Sequence, residues 1–274
     1  MDIEEVRQRL RVLGVRASKG LGQHFLVDSR IAHRHVEFAG IGANDVVLEI
    51  GPGLGILTRL LLKRAARVVA VERDRRLAAG LGDLGGNLEV IRGDALRVPL
   101  PRFDKVVSNL PYKISSPITF RLLDARFDLG ALMYQSEFAG RLVARCGDAE
   151  YSRLSVNAYT RAGVRIVERV PRTAFWPQPK VDSAIVLVEP RPSPFPIRDG
   201  AWFRAVVDAA FQHRRKAIEN SLRLSWRRFA PTVDEFDRLL STAPFHGSRP
   251  EELTPEQFGQ LADALGGTGD GQKH

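Results

Sequence analysis

Ser108-Asn109-Leu110-Pro111-Tyr112 closes a short apolar run, and its residue types suit one task, the holding of an aromatic amine. The Asn109 side-chain oxygen and the Leu110 carbonyl can accept both protons of an exocyclic amine while Tyr112 stacks on the ring that bears it. Pro111 biases Leu110 away from helix, which presents these groups to a cleft. Upstream, Gly51-Pro52-Gly53-Leu54-Gly55 follows another apolar run, and glycines there permit a tight turn and close approach of a ligand to the backbone. The spacing is Gly-x-Gly-x-Gly, not the dinucleotide Gly-x-Gly-x-x-Gly, so a pyrophosphate is disfavoured. Glu72 lies about twenty residues past the first glycine at the end of the next run, where an acid can accept hydrogen bonds from a ribose. Asp94, in Gly93-Asp94-Ala95, ends a third run and suits an adenine amine. Singly these are a turn, a surface acid and a helix cap; together they describe a nucleoside pocket at the carboxyl edge of a sheet.

The elements that must carry this pocket are legible as alternation. Val46 to Ile50, Arg67 to Val71, Leu88 to Ile91, Lys105 to Ser108, Leu129 to Tyr134 and Ala184 to Val188 read as strands. Ile56 to Arg64, Ile118 to Leu123 and Ser136 to Arg145 read as helices between them, the pattern of a mostly parallel α/β sheet. Pro190, Pro192, Pro194 and Pro196 fall at every second position, which forbids helix and predicts an extended linker. A catalytic domain over residues 1–190 and a small helical domain over residues 191–274 are expected, the latter from the apolar spacing of Trp202 to Phe211, Phe236 to Leu240 and Phe258 to Leu265.

The chain has 274 residues, 44% of them hydrophobic and 27% charged, enough to bury a sizeable core. No apolar stretch approaches the roughly 20 residues of a membrane span, so no membrane partner is expected. The acidic start Met1-Asp2-Ile3-Glu4-Glu5 lacks a secretory pattern, and Cys146, the single cysteine, offers neither a disulfide nor a zinc cluster; a cytoplasmic protein without metal is expected. The formal charge of +9 is concentrated. Arg7, Arg9, Arg11, Arg16, Lys19, Arg30 and Arg34 face only Asp28 within one segment, and Arg204, Arg214, Arg215, Lys216, Arg223, Arg227 and Arg228 dominate another, as a polyanion partner would require.

Asn-Leu-Pro-Tyr beside Gly-x-Gly-x-Gly resembles the S-adenosylmethionine-dependent adenine methyltransferases. Lys19-Gly20-Leu21-Gly22-Gln23-His24-Phe25-Leu26, Ile114-Ser115-Ser116-Pro117, the run Phe175 to Ala184, and Phe211-Gln212-His213-Arg214-Arg215-Lys216 followed by Asn220-Ser221-Leu222 narrow the resemblance. Over Lys19 to Leu261 the chain is similar to the small-subunit (16S-type) ribosomal RNA adenine dimethyltransferase family. That resemblance implies a Rossmann-like methyltransferase sheet with a small C-terminal helical domain, and S-adenosylmethionine held by His24, Leu26, Gly51, Gly53, Glu72, Asp94 and Asn109. His24 stands where the family pattern has Asn. It also implies a target adenine positioned by Asn109, Leu110, Pro111 and Tyr112 and sandwiched between Tyr112 and Phe175, with Lys19 and a basic helix at Arg214, Arg215 and Lys216 toward the RNA. The expected activity is dimethylation of two adjacent adenosines in a loop near the 3′ end of small-subunit ribosomal RNA, by a monomer acting on a pre-small ribosomal subunit. Three other readings stay open: the large-subunit methyltransferase of macrolide resistance, an assembly factor acting mainly by binding, and DNA adenine methylation.

Overall fold

The computed structural model describes residues 1–17 and 23–266. Contacts gather the chain into two units, Met1–Ala139 with Gly163–Pro190, and Gly140–Ala162 with the residues from Arg191 onward.

In the first unit, α1 (Ile3–Val12) starts where the Asp2 carboxylate accepts a hydrogen bond from the Glu5 N–H at 2.8 Å, and it buries Val6 and Leu10. A short strand β1 (Phe25–Leu26) precedes α2 (Ser29–Phe38), capped by Asp28. Then β2 (Val46–Ile50), α3 (Ile56–Leu61), β3 (Arg67–Glu72), α4 (Arg75–Ala79), β4 (Leu88–Arg92), β5 (Lys105–Asn109), α5 (Ser115–Leu123) and β6 (Leu129–Gln135) follow. After α6 (Ser136–Val143), and after α7 (Arg153–Tyr159), which belongs to the second unit, come β7 (Ala162–Val170), β8 (Phe175–Trp176) and β9 (Ser183–Pro190).

The main sheet has the order β4-β3-β2-β5-β6-β9-β7 among the described residues. From β4 to β6 its strands are parallel, with Leu48 opposite both Val69 and Val106, while β9 runs antiparallel to β6. Strands covered on both faces read as continuous β-branched runs, and Val47, Leu48, Val68, Val69, Val106 and Val107 are each 0% exposed. The chain goes outward through β3 and β4 and returns to place β5 against β2. Strand order reverses there, so the loops after β2 and β5 part and leave a crevice at their carboxyl ends.

The second unit holds α8 (Gly200–Gln212), α9 (Ile218–Arg223), α10 (Val233–Thr242) and α11 (Pro255–Ala264) around Phe203, Val207, Leu222, Phe236 and Phe258. Tyr151 and Val156 belong to this core, and the Tyr151 hydroxyl donates to the Leu253 carbonyl at 2.9 Å. This apolar packing draws residues 140–162, expected from sequence beside the sheet, into the helical unit. Among the described residues no helix is long and apolar enough to cross a membrane.

Candidate active site

The carboxyl end of β5 is fixed before the site begins. Ser108 is fully buried, and its hydroxyl donates to the Ile50 carbonyl at 2.5 Å, tying the last turn of β5 to the last residue of β2. Asn109 follows half-buried, its amide N–H donating to the His24 carbonyl at 3.3 Å. Leu110 is buried, its N–H given to Met133 at 3.3 Å, and Pro111 starts a single 3-10 turn over Tyr112–Ile114. That turn carries Tyr112 out of the sheet plane, and its hydroxyl is tethered to the Ser183 hydroxyl at 2.7 Å. Burial raises the Tyr112 phenol pKa, so the ring stays neutral near physiological pH.

His24 faces this ring. The two centroids are 5.5 Å apart at an interplanar angle of 27°, and the His24 Nδ1–H donates to the Pro177 carbonyl at 2.6 Å. A stacked ring pair of this spacing marks a flat aromatic slot.

The glycine loop forms the neighbouring wall. Gly51 and Gly53 have φ of 66° and 59°, the left-handed region. A Cβ on Gly51 would lie 3.1 Å from Pro111, and one on Gly53 would lie 3.3 Å from the Phe25 ring. A side chain at either position is crowded by these neighbours as well as strained by the left-handed backbone, so glycine suits both. The Gly53 N–H donates to Glu72 Oε2 at 3.2 Å, and the Asp74 N–H donates to Oε1 at 2.8 Å. Glu72 is 7% exposed, and burial raises its carboxyl pKa. Asp94 is half-buried at the end of β4, accepting from the Leu96 N–H at 3.0 Å with the Arg73 guanidinium 3.9 Å away.

The expected residues therefore separate into groups. His24, Asn109 and Tyr112 are brought together, as are Gly51, Gly53 and Glu72. Leu26 and Phe175 are partners in the β1–β8 ladder and are 3% and 2% exposed, inside the core beneath the sheet. The structure does not set Phe175 opposite Tyr112; His24 occupies that face. Lys19 lies outside the described residues. Arg214, Arg215 and Lys216 sit in the turn between α8 and α9 and not on a helix, because His213 leaves helical geometry at φ −129° and ψ 64°. Arg214 is spent within its own unit, donating to Glu251 at 2.5 Å and to the Ala149 carbonyl at 2.7 Å, whereas Arg215 and Lys216 are exposed. Sequence reasoning missed Ser183, the tether of Tyr112, and Glu49, which accepts a 2.7 Å hydrogen bond from the Thr58 hydroxyl under the glycine loop. Ser183 stands inside the run Phe175 to Ala184, but its role appears only when β9 returns beside β6 with Ser183 opposite Gln135, and Glu49 stands inside the Val46 to Ile50 strand, where its partner Thr58 comes from α3.

The family model for ribosomal RNA adenine dimethylase matches residues 14–243. The chain belongs to that family. It is an S-adenosylmethionine-dependent methyltransferase, and the glycine loop with its two acids fits such a donor: the left-handed backbone at Gly51 and Gly53, crowded by Pro111 and Phe25, and the adjoining Glu72 carboxylate form a cradle that a Cβ would narrow. Similarity extends to the probable ribosomal RNA small subunit methyltransferase A of Thermococcus onnurineus, 46% identical over 265 residues, covering 93% of this chain and 96% of the relative. Among solved structures, a dimethyladenosine transferase from Plasmodium falciparum superposes with a TM-score of 0.74 at 31% identity, covering 87% of this chain and 96% of that one. The 23S rRNA methyltransferase ErmE superposes with a TM-score of 0.64 at 33% identity, covering 88% and 99%.

Proposed function

We propose that this enzyme transfers methyl groups from S-adenosylmethionine to the exocyclic amines of two adjacent adenosines in a loop near the 3′ end of small-subunit ribosomal RNA. The observation that carries the reading is the convergence of Asn109 and Tyr112 with the glycine loop at the point where strand order reverses. The donor supplies an electrophilic methyl on a sulfonium. Gly51, Gly53, Glu72 and Asp94 hold its nucleoside part, and the His24 and Leu26 segment covers it. Asn109 Oδ1 and the Leu110 carbonyl accept the two amine protons, which aims the nitrogen lone pair at the methyl, and Tyr112 fixes the base plane. The amine loses a proton to water after each transfer. The target base must leave its stack to enter this slot, which suits an unpaired loop.

Within this reading the sheet unit performs the transfer, and Arg215 and Lys216 on the helical unit steer RNA. The substrate is a pre-small ribosomal subunit, met in the cytoplasm by a monomer that thereby serves subunit biogenesis. The likeness to ErmE makes large-subunit RNA the second reading. Purified protein incubated with labelled S-adenosylmethionine and undermethylated small subunits, with large subunits and DNA in parallel, should yield dimethyladenosine from small subunits alone. Label in large subunits moves the substrate, and no label anywhere overturns the reading.

The cradle gives its own test. Gly53→Ala puts a side chain in the left-handed region, at a cost of about 1 kcal/mol, and against the Phe25 ring. Donor affinity measured by titration calorimetry should fall roughly ten-fold, the equivalent of about 1.4 kcal/mol. Unchanged affinity removes Gly53 from the donor site.

A further inference from the structure

A cleft of about 570 Å³ opens between α1 and the segment after β8, within the sheet unit. Arg7, Arg11 and Arg16 line it with Leu10, Trp176 and Pro177. Arg7 and Arg11 are one helical turn apart and share a face. All of α1 precedes the family match, which begins at residue 14, and the donor cradle uses none of these side chains.

The chemistry of the lining is specific. The Arg7 guanidinium sits 5.5 Å above the centroid of the half-buried Trp176 indole, which packs against the apolar cluster that includes Val6, Leu10, Phe25 and Leu54. Arg7 and Arg11 each approach Glu4 only to 3.7 Å, at a Glu4 side chain that is 70% exposed, so these pairs are weak and exchangeable. Arg16 is exposed and has no ion pair among the described residues. An indole and three guanidiniums lining one cleft match a nucleotide, whose base stacks and whose phosphates accept bidentate hydrogen bonds. A peptide partner of the same charge would leave the indole face without a flat ligand.

The location decides which nucleotide. Pro177 lines this cleft, and its carbonyl holds His24, the ring stacked on Tyr112. The cleft is thus next to the proposed target slot. We propose that it is a second RNA subsite, taking an unpaired nucleotide adjacent to the target adenosine, with the base on Trp176 and the flanking phosphates on Arg7, Arg11 and Arg16. The base takes the place Arg7 holds over the indole, and Arg7 turns to phosphate. This inference rests on the RNA substrate argued above.

The test is direct RNA binding by fluorescence anisotropy, using a hairpin from the 3′ region of small-subunit ribosomal RNA, with donor affinity and transfer kinetics alongside. Trp176→Ala should weaken RNA binding about ten-fold while Trp176→Phe, which keeps a stacking face, stays within about two-fold of wild type. The triple variant Arg7→Ala, Arg11→Ala, Arg16→Ala should flatten the slope of log affinity on log salt by about two, at roughly 0.7 per lost phosphate contact. The exposed Arg102→Ala should leave that slope within about 0.7 of wild type, the share of a single contact. For the cleft variants KM for RNA should rise with kcat and donor affinity held. Unchanged RNA affinity in Trp176→Ala and the triple variant overturns the subsite, as does a Trp176→Phe protein as weak as Trp176→Ala. If the wild type binds the hairpin but methylates no subunit, the functional reading fails while the binding comparison still decides the subsite.

Discussion

Asn109→Ala is expected to lower kcat for methyl transfer by about 10² to 10³, the loss typical of one oriented polar group at a reacting centre. Its amide is placed by β5 and by the Ser108 tie to Ile50, so the substitution leaves the strand end where it was. Among the described residues the side-chain hydrogen bond it removes is the 3.3 Å bond to the His24 carbonyl, which contributes about 1 kcal/mol or less. Folding should therefore persist, with a melting temperature within a few degrees of wild type, and the loss should appear in single-turnover rates at saturating donor. Asn109→Asp separates two roles of the group: it keeps an acceptor for the target amine but cannot donate to His24. An Asp variant far more active than Ala would assign the effect to the amine; equal inactivity would assign it to the His24 segment. Wild-type rates in Asn109→Ala would move the amine elsewhere.

How far the sequence discloses this arrangement depends on how many residues carry each signal. Strands β2, β3 and β5 are buried on both faces, so Val46-Val47-Leu48 and Lys105-Val106-Val107 read directly as apolar runs. The site at their ends is legible for the same reason, since Gly51, Glu72 and Asn109 each stop such a run. Helix α1 is hidden because it buries only Val6 and Leu10 among arginines, and the charge reading of this segment is then the stronger one. Helix α2 buries His35 at an apolar position, which breaks the pattern of Ile31, Ala32 and Val36. Strands β1 and β8 have two residues each, too few for any period, and only their pairing shows that Leu26 and Phe175 point into the core. The turn at Arg214 lacks the glycine or proline that would announce it.

Glu49 gives the largest expected effect on stability. It is 2% exposed on β2, and burial, reinforced by the nearby Glu72 charge, raises its carboxyl pKa from 4.5 to about 8 against the opposing hydrogen bond from Thr58. The folded chain thus keeps a proton that the unfolded chain releases near pH 4.5. Its stabilising contribution is full below that value and is lost as pH rises through about 8. His35 works in the other direction: it is wholly buried, donating through Nε2 to the Ala131 carbonyl at 2.9 Å, and burial lowers its pKa from 6.5 to about 4. Stability from neutral His35 is full above pH 6.5 and is lost as pH falls through about 4. The melting temperature should therefore peak in the weakly acidic range and decline on both sides. Glu49→Gln, neutral at every pH, should abolish the alkaline decline and exceed wild type by on the order of 4 kcal/mol above pH 9. A variant curve parallel to wild type would show that Glu49 ionises freely. The same proton bears on the proposed donor cradle, because an ionised Glu49 sets a second negative charge beside Glu72, so donor affinity in wild type, and not in Glu49→Gln, should weaken as pH approaches 8.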